Sequence, residues 1–231
     1  MKDKSEIAWT DYTFNPWEGC TKVSPGCKLC YACSECQDHW KRVKWGASGV
    51  RRRVTSTLQE PFKWHQEAVR TGQRLKVFSG SLCDIFDDHP SIEQEWRDDL
   101  WRKVRETPCL QWLLLTKRPE NIVRFLPPDW NEGYPNACLM VSVENQEFAN
   151  KRIPVLLEVP AASYGLSCEP LLGPVDLTTW LPRLDWVIAG GESGTGARPM
   201  HPNWARGLRD QCRTHETPFF FKQWGCWAPA A

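Results

Sequence analysis

Short apolar runs recur along the chain, each followed by a polar or glycine-containing stretch and then by a segment with helical spacing. The runs lie at 75–78, 110–115, 137–143, 161–166, 184–189 and 218–221, with a further one at 12–15. They are too continuous for a half-exposed sheet and suit parallel strands buried on both faces. Between them the pattern predicts helices over 31–45, 58–71, 92–106, 119–125, 145–158 and 203–215. Ser91 and Asn203 read as N-caps. Pro108, Pro127, Pro160 and Pro218 mark where the chain turns into the next segment. Six or seven strand–helix units predict a parallel α/β architecture, a complete or partial barrel or a doubly wound sheet, with the barrel preferred.

Composition narrows this picture. The chain has 231 residues, a net charge of +1 and 41% hydrophobic residues, ample for a core, and 25% charged residues. Wholesale disorder is excluded, and one α/β barrel domain over 1–231 absorbs the length. No apolar run approaches the roughly 18 residues of a membrane span. The N-terminal stretch has no apolar signal core, so the expected compartment is the reducing cytoplasm. Against that neutral background, residues 41–53 hold six basic residues and no acid, within a basic insertion at about 41–57. A local basic stripe can contact phosphates whatever the net charge, which makes Arg51, Arg52 and Arg53 candidate nucleic-acid contacts. Trp40, Trp45 and Trp64, in or near the stripe, are candidate stacking surfaces. The alternative is a solvated charge run, with tryptophans such as Trp96, Trp101, Trp112 and Trp186 in the core.

Polar clusters follow the apolar runs in register: 79–84, 116–121, 142–145, 167–170, 190–194 and 222–225. Parallel α/β folds build their sites from loops at the carboxyl ends of strands, so six such clusters predict one composite pocket. Each cluster alone reads equally as a turn or cap. Five of the eleven cysteines, Cys20, Cys27, Cys30, Cys33 and Cys36, fall within seventeen residues. In a reducing compartment such a group reads as a metal site. Cys20, Cys27 and Cys30 offer three thiolates from a loop that Pro25 and Gly26 let fold, and three ligands leave one iron of a four-iron cluster open. Zinc wants a fourth ligand. Cys27, Cys30, Cys33 and Cys36 also resemble a ferredoxin-type run, so both alternatives stay open. Cys83, Cys109, Cys138, Cys168 and Cys212 read as core thiols.

The stretch from Asn15 through Cys20, Cys27 and Cys30 to Tyr31 resembles the opening of a phage and prophage three-cysteine family related to the radical S-adenosylmethionine (SAM) enzymes. So do Ser167-Cys-Glu-Pro-Leu-Leu-Gly173, Gly190-Gly-Glu-Ser-Gly194 with Ala197-Arg-Pro199, and Phe219-Phe-Phe-Lys-Gln-Trp-Gly225. The resemblance runs from about residue 8 to 227. It implies a partial (β/α) barrel with a 4Fe-4S cluster at its mouth, SAM on the open iron, and an electron from an external donor that releases a 5′-deoxyadenosyl radical. The spacer between the first two cysteines is longer than is usual for radical SAM enzymes. Leu29 stands where an aromatic usually precedes the third.

Carried onto this chain, the resemblance makes Cys20, Cys27 and Cys30 the cluster ligands. The loop that usually holds the SAM amino group lacks Gly-Gly-Glu here; Ser81 and Asp84 are expected in its place on their own chemistry, not carried over from the family. Ser142, Glu144 and Asn145 suit the ribose hydroxyls and carboxylate of SAM, because together they donate and accept. Glu169, Glu192, Lys222 and Gln223 lie farther round the barrel, where substrate is expected. Phage radical SAM proteins act in hypermodification of DNA bases, including isomerisation of an amino acid attached to thymine. The implied partner is therefore nucleic acid or a modified nucleotide. A zinc- or iron–sulfur-stabilised nucleic-acid-binding protein without catalysis is the rival. A zinc deaminase is disfavoured because His-x-Glu paired with Pro-Cys-x-x-Cys is absent.

Overall fold

The computed structural model describes residues 4–228. Seven strands form one sheet: β1 (Tyr12–Phe14), β4 (Leu75–Ser79), β5 (Leu110–Thr116), β6 (Ala137–Ser142), β7 (Tyr164–Cys168), β8 (Trp186–Gly190) and β9 (Phe219–Gln223), in that spatial order. Every adjacent pair is parallel, and the sheet curls into a half-barrel. A small antiparallel ribbon, β2 (Trp17–Glu18) with β3 (Arg52–Arg53), stands beside it. The helices are α1 (Tyr31–Cys33), α2 (Glu60–Thr71), α3 (Gln94–Glu106), α4 (Ile122–Phe125), α5 (Gln146–Leu157) and α6 (Pro202–Thr214).

Strand alternation explains why the runs look uniformly apolar. Successive side chains point to opposite faces of a strand, and here both faces are covered. On β5 and β6, Trp112, Leu114, Leu139 and Val141 join the large core between sheet and helices. Their neighbours Leu113, Leu115, Cys138 and Met140 join a second cluster on the concave face with Trp9, Phe78, Ile188 and Phe220. The bottom of the half-barrel is therefore packed with side chains rather than open.

Helix ends differ in detail from the sequence expectation. Glu93, not Ser91, precedes α3, because the Ser91 hydroxyl instead accepts from the backbone N–H of Arg51 at 2.8 Å. His201 caps α6, its Nδ1 accepting from the Asn203 N–H at 3.2 Å. The helix expected over 31–45 is cut short. After α1 the chain makes a π-helical turn over Ser34–His39, and Lys41 then takes a left-handed φ of 52°.

The basic run beyond it folds back as a clamp. Arg42 and Arg52 both reach the buried carboxylate of Glu18, at 3.1 and 3.0 Å, and Arg53 reaches Asp99 at 2.7 Å. Arg51 is only 2% exposed. Its five N–H groups go to Asp87, the carbonyls of Gly46 and Gly49, and the Thr21 hydroxyl. The nucleic-acid contact expected of Arg51 is corrected accordingly: no donor is left for a phosphate. Removing one partner of such a buried pair strands the other's charge. Arg51→Met is expected to lower unfolding free energy by about 3 kcal/mol or more, whereas Arg52→Ala, half-exposed, should cost about 1 kcal/mol or less. Urea unfolding of both variants checks this. Trp64 likewise belongs to the core, stacked on Tyr12 with centroids 4.5 Å apart.

Candidate functional site

The concave face changes character along the strands. Inward positions that are apolar at the bottom become polar at the carboxyl ends: Met140 is followed by Ser142 on β6, Gly165 by Ser167 and Glu169 on and after β7, and Phe220 by Lys222 on β9. There a cavity of about 460 Å³ opens. That volume lies within the ~300–1,000 Å³ of ordinary ligand pockets. Cys20, Cys27 and Cys30 line it together with Ser81, Asp84 and Ser142. Glu169, Glu192, Lys222 and Gln223 line it from the later strands.

The cysteine loop is held at several points. A 3₁₀ turn, Pro25–Cys27, leads to Cys30 at the N-terminus of α1. The Ser24 hydroxyl donates to Glu144 Oε1 at 2.6 Å and lies 3.6 Å from Cys27 Sγ. A Cβ at Gly26 would stand 2.5 Å from Glu144 Oε1, so only glycine lets the loop approach this closely. Arg118 donates to the Thr21 carbonyl at 2.7 Å and to Cys20 Sγ at 3.5 Å. Arg198 donates to the Pro25 carbonyl at 3.0 Å while gripping Glu192. Burial pushes the Cys20 thiol up to about 12, and Asp84 adds to this, while Arg118 opposes it.

The donor chemistry suits an iron–sulfur cluster, since thiolates are soft ligands and Cys20, Cys27 and Cys30 line one cavity. Among the described residues no three Cys, His, Asp or Glu side chains are grouped so as to hold a metal ion. Cys33 and Cys36 are buried and do not line the cavity that Cys20, Cys27 and Cys30 share. Cys83, read from sequence as a core thiol, packs on the core and also lines the cavity beside Asp84.

Several nominated residues have internal duties instead. Glu144 is fully buried, bound to Arg152 at 2.8 Å and to Ser24, and does not line the cavity. Asn145 caps α5 by accepting from the Phe148 N–H. Neither residue, expected to meet SAM, lines the cavity: Glu144 holds the wall from behind and Asn145 holds the start of α5. Asp84 lines the cavity but accepts from Thr116 Oγ1, the N–H groups of Phe86 and Lys117, and Arg118. Ser81 accepts from Asn15 Nδ2 at 2.9 Å. Lys222 pairs with Glu169 at 2.9 Å, and Trp9 donates to the same carboxylate at 3.2 Å. Glu192 is held by Arg198; burial works against its charge, but the arginine outweighs burial and keeps its carboxyl below the ordinary range. Trp9, Tyr31, Lys117 and Arg118 line the cavity without having been nominated. For Lys117 and Arg118 the signal was present, in the polar cluster at 116–121. For Trp9 there was none.

The geometry is that of a partial (β/α) barrel. Two solved structures of spore photoproduct lyase share it, each matched over 96% of this chain. A cysteine-to-serine mutant has a TM-score of 0.54 and 11% identity over 79% of its own chain. A complex with dinucleoside spore photoproduct has a TM-score of 0.59 and 12% identity over 78%. No curated protein matches the chain. The chain belongs to the family described as "Protein of unknown function (DUF5131)", which matches residues 4–231. Among the described residues no helix is long and apolar enough to cross a membrane.

Proposed function

We propose that this protein is a radical SAM enzyme acting on a nucleic-acid base or a group appended to one. The observation that carries the reading is the cavity itself, in which the three-cysteine loop faces polar strand-end side chains across the mouth of a radical SAM-type half-barrel. Cys20, Cys27 and Cys30 would hold a 4Fe-4S cluster. Such a cluster, reduced by an external donor, would supply one electron for cleaving a C–S bond of SAM, with methionine leaving and a carbon radical able to abstract hydrogen.

The chain's own residues do the rest. Ser81 and Ser142 offer hydroxyls on the SAM side of the cavity. Trp9, Phe78 and Leu115 make its floor apolar, and keeping water from the reacting atoms protects a radical from quenching. Glu169 and Lys222, paired across the far wall, can separate to receive a donor and an anionic or carbonyl acceptor on the substrate. Glu192, fixed by Arg198, presents a carboxylate in one orientation. Orientation of this kind is how a site holds reacting atoms at near-attack distance.

A nucleic-acid substrate is supported by the fold shared with spore photoproduct lyase, whose solved complex holds a dinucleoside photoproduct. The phage-family resemblance narrows the proposal to modification or isomerisation of a thymine-linked group, such as an amino acid, in hypermodified phage DNA. A base within a duplex would have to be flipped into the cavity. Anaerobic reconstitution followed by dithionite, SAM and candidate modified DNA is expected to give 5′-deoxyadenosine and an altered nucleoside by mass spectrometry. A colourless protein holding one stoichiometric zinc, with no SAM cleavage, would replace this reading with the non-catalytic binding protein.

A further inference from the structure

We propose that Arg118 is a positioning residue for the Cys20 sulfur, setting how readily the cluster it ligates accepts an electron. This rests on the radical SAM reading above and adds to it an assignment for the charged network beneath the cysteine loop.

Arg118 follows β5 and is 5% exposed. One guanidinium nitrogen, Nη1, lies 3.5 Å from Cys20 Sγ and 3.0 Å from Asp84 Oδ2. The other, Nη2, donates to the Thr21 carbonyl at 2.7 Å and lies 3.7 Å from Asp87. A single planar fork thus grips a ligand sulfur and the next residue's backbone together. Lysine, a point charge on a flexible stem, cannot reproduce that geometry.

The fork is itself held. Asp84 is oriented by the Thr116 hydroxyl at 2.7 Å and by the N–H groups of Phe86 and Lys117. Asp87 is shared with Arg51, which reaches the Thr21 hydroxyl at 2.7 Å from the other side. The two arginines therefore clamp Thr21 between them, directly after the first ligand. Both donors of Nη1 are thus taken, one by Asp84 and one by the Cys20 sulfur, and Nη2 is fixed on the Thr21 carbonyl.

Hydrogen bonds to cluster sulfurs and charge near the cluster set its potential. Partners that orient ligands are worth about 10–100-fold in metal affinity or activity. A cation donating to Cys20 Sγ draws electron density from the sulfur and favours the reduced cluster.

The test compares wild-type protein with Arg118→Lys and Arg118→Met after anaerobic reconstitution. Iron per chain, circular dichroism and the midpoint potential from an electron paramagnetic resonance titration are measured for each. The expected result is a more negative potential in Arg118→Met, with Arg118→Lys between it and wild type. A variant with wild-type circular dichroism that retains less iron also supports the assignment. Full iron at the wild-type potential in Arg118→Met overturns it. So does loss of the wild-type circular dichroism in both variants, which would make Arg118 a strut of the fold. If wild-type protein itself takes up no cluster, the radical SAM reading fails and the assignment with it; the first two outcomes leave that reading standing.

Discussion

Cys27→Ala will fold, stay colourless after reconstitution with iron and sulfide, and lose SAM cleavage by at least about 100-fold, a loss that removing even a ligand's hydrogen-bond partner can reach. The thiol is partly exposed on the cavity wall, and its one hydrogen-bonding neighbour is the Ser24 hydroxyl at 3.6 Å. Stability should therefore change by no more than about 0.5–1 kcal/mol, as for substitutions outside the core. Cys36→Ala should behave in the opposite way. Cys36 is fully buried, so its loss should cost stability while the brown colour and SAM cleavage remain. Iron analysis and visible spectra on both variants decide the matter. Iron lost from Cys36→Ala but kept by Cys27→Ala would move the ligand set down the chain to the ferredoxin-type run.

The strands were legible because both faces of each are covered. A run such as Ala137–Ser142 is buried at every position, and composition alone then marks it as an interior parallel strand. The composite pocket was legible for a related reason, since polar residues at the end of a buried strand have few places to go but the mouth of the barrel. What could not be read was which of those residues face the cavity and which hold the wall. Glu144 and Glu169 both end strands, and nothing local separates them. Their difference lies in partners that only the fold brings together, Ser24 and Arg152 for the first and Trp9 and Lys222 for the second. The arginine triplet was partly illegible for the same reason: Arg51, Arg52 and Arg53 meet Asp87, Glu18 and Asp99, carboxylates that no spacing rule connects to them, and only Arg51 is wholly buried by its partners. The long spacer between Cys20 and Cys27 is explained only in three dimensions, where Arg118, Glu144 and Arg198 each take one atom group from it.

Glu144 allows the wall-building role to be separated from a ligand-binding one. Its carboxylate is 0% exposed and faces Arg152 at 2.8 Å, with Lys117 at 3.7 Å. Removing one member of a buried pair typically costs about 3–5 kcal/mol, because the survivor keeps its desolvation penalty. Glu144→Ala leaves Arg152 with only the Ser142 carbonyl and frees Ser24, the residue that seats Cys27. The expected result is a drop of about 3 kcal/mol or more in unfolding free energy of the cluster-free protein. That is a large share of the roughly 5–15 kcal/mol a domain holds. Arg152→Met in the same chain should restore part of the loss, since the stranded charge is then gone and contacting residues couple. A carboxylate whose work was to meet SAM would behave otherwise. Its removal would leave cluster-free stability within about 0.5 kcal/mol and weaken only SAM binding. Urea unfolding of the single and double variants, read beside equilibrium binding of SAM, tells the two apart. Unchanged stability in Glu144→Ala would return this residue to the ligand-binding set.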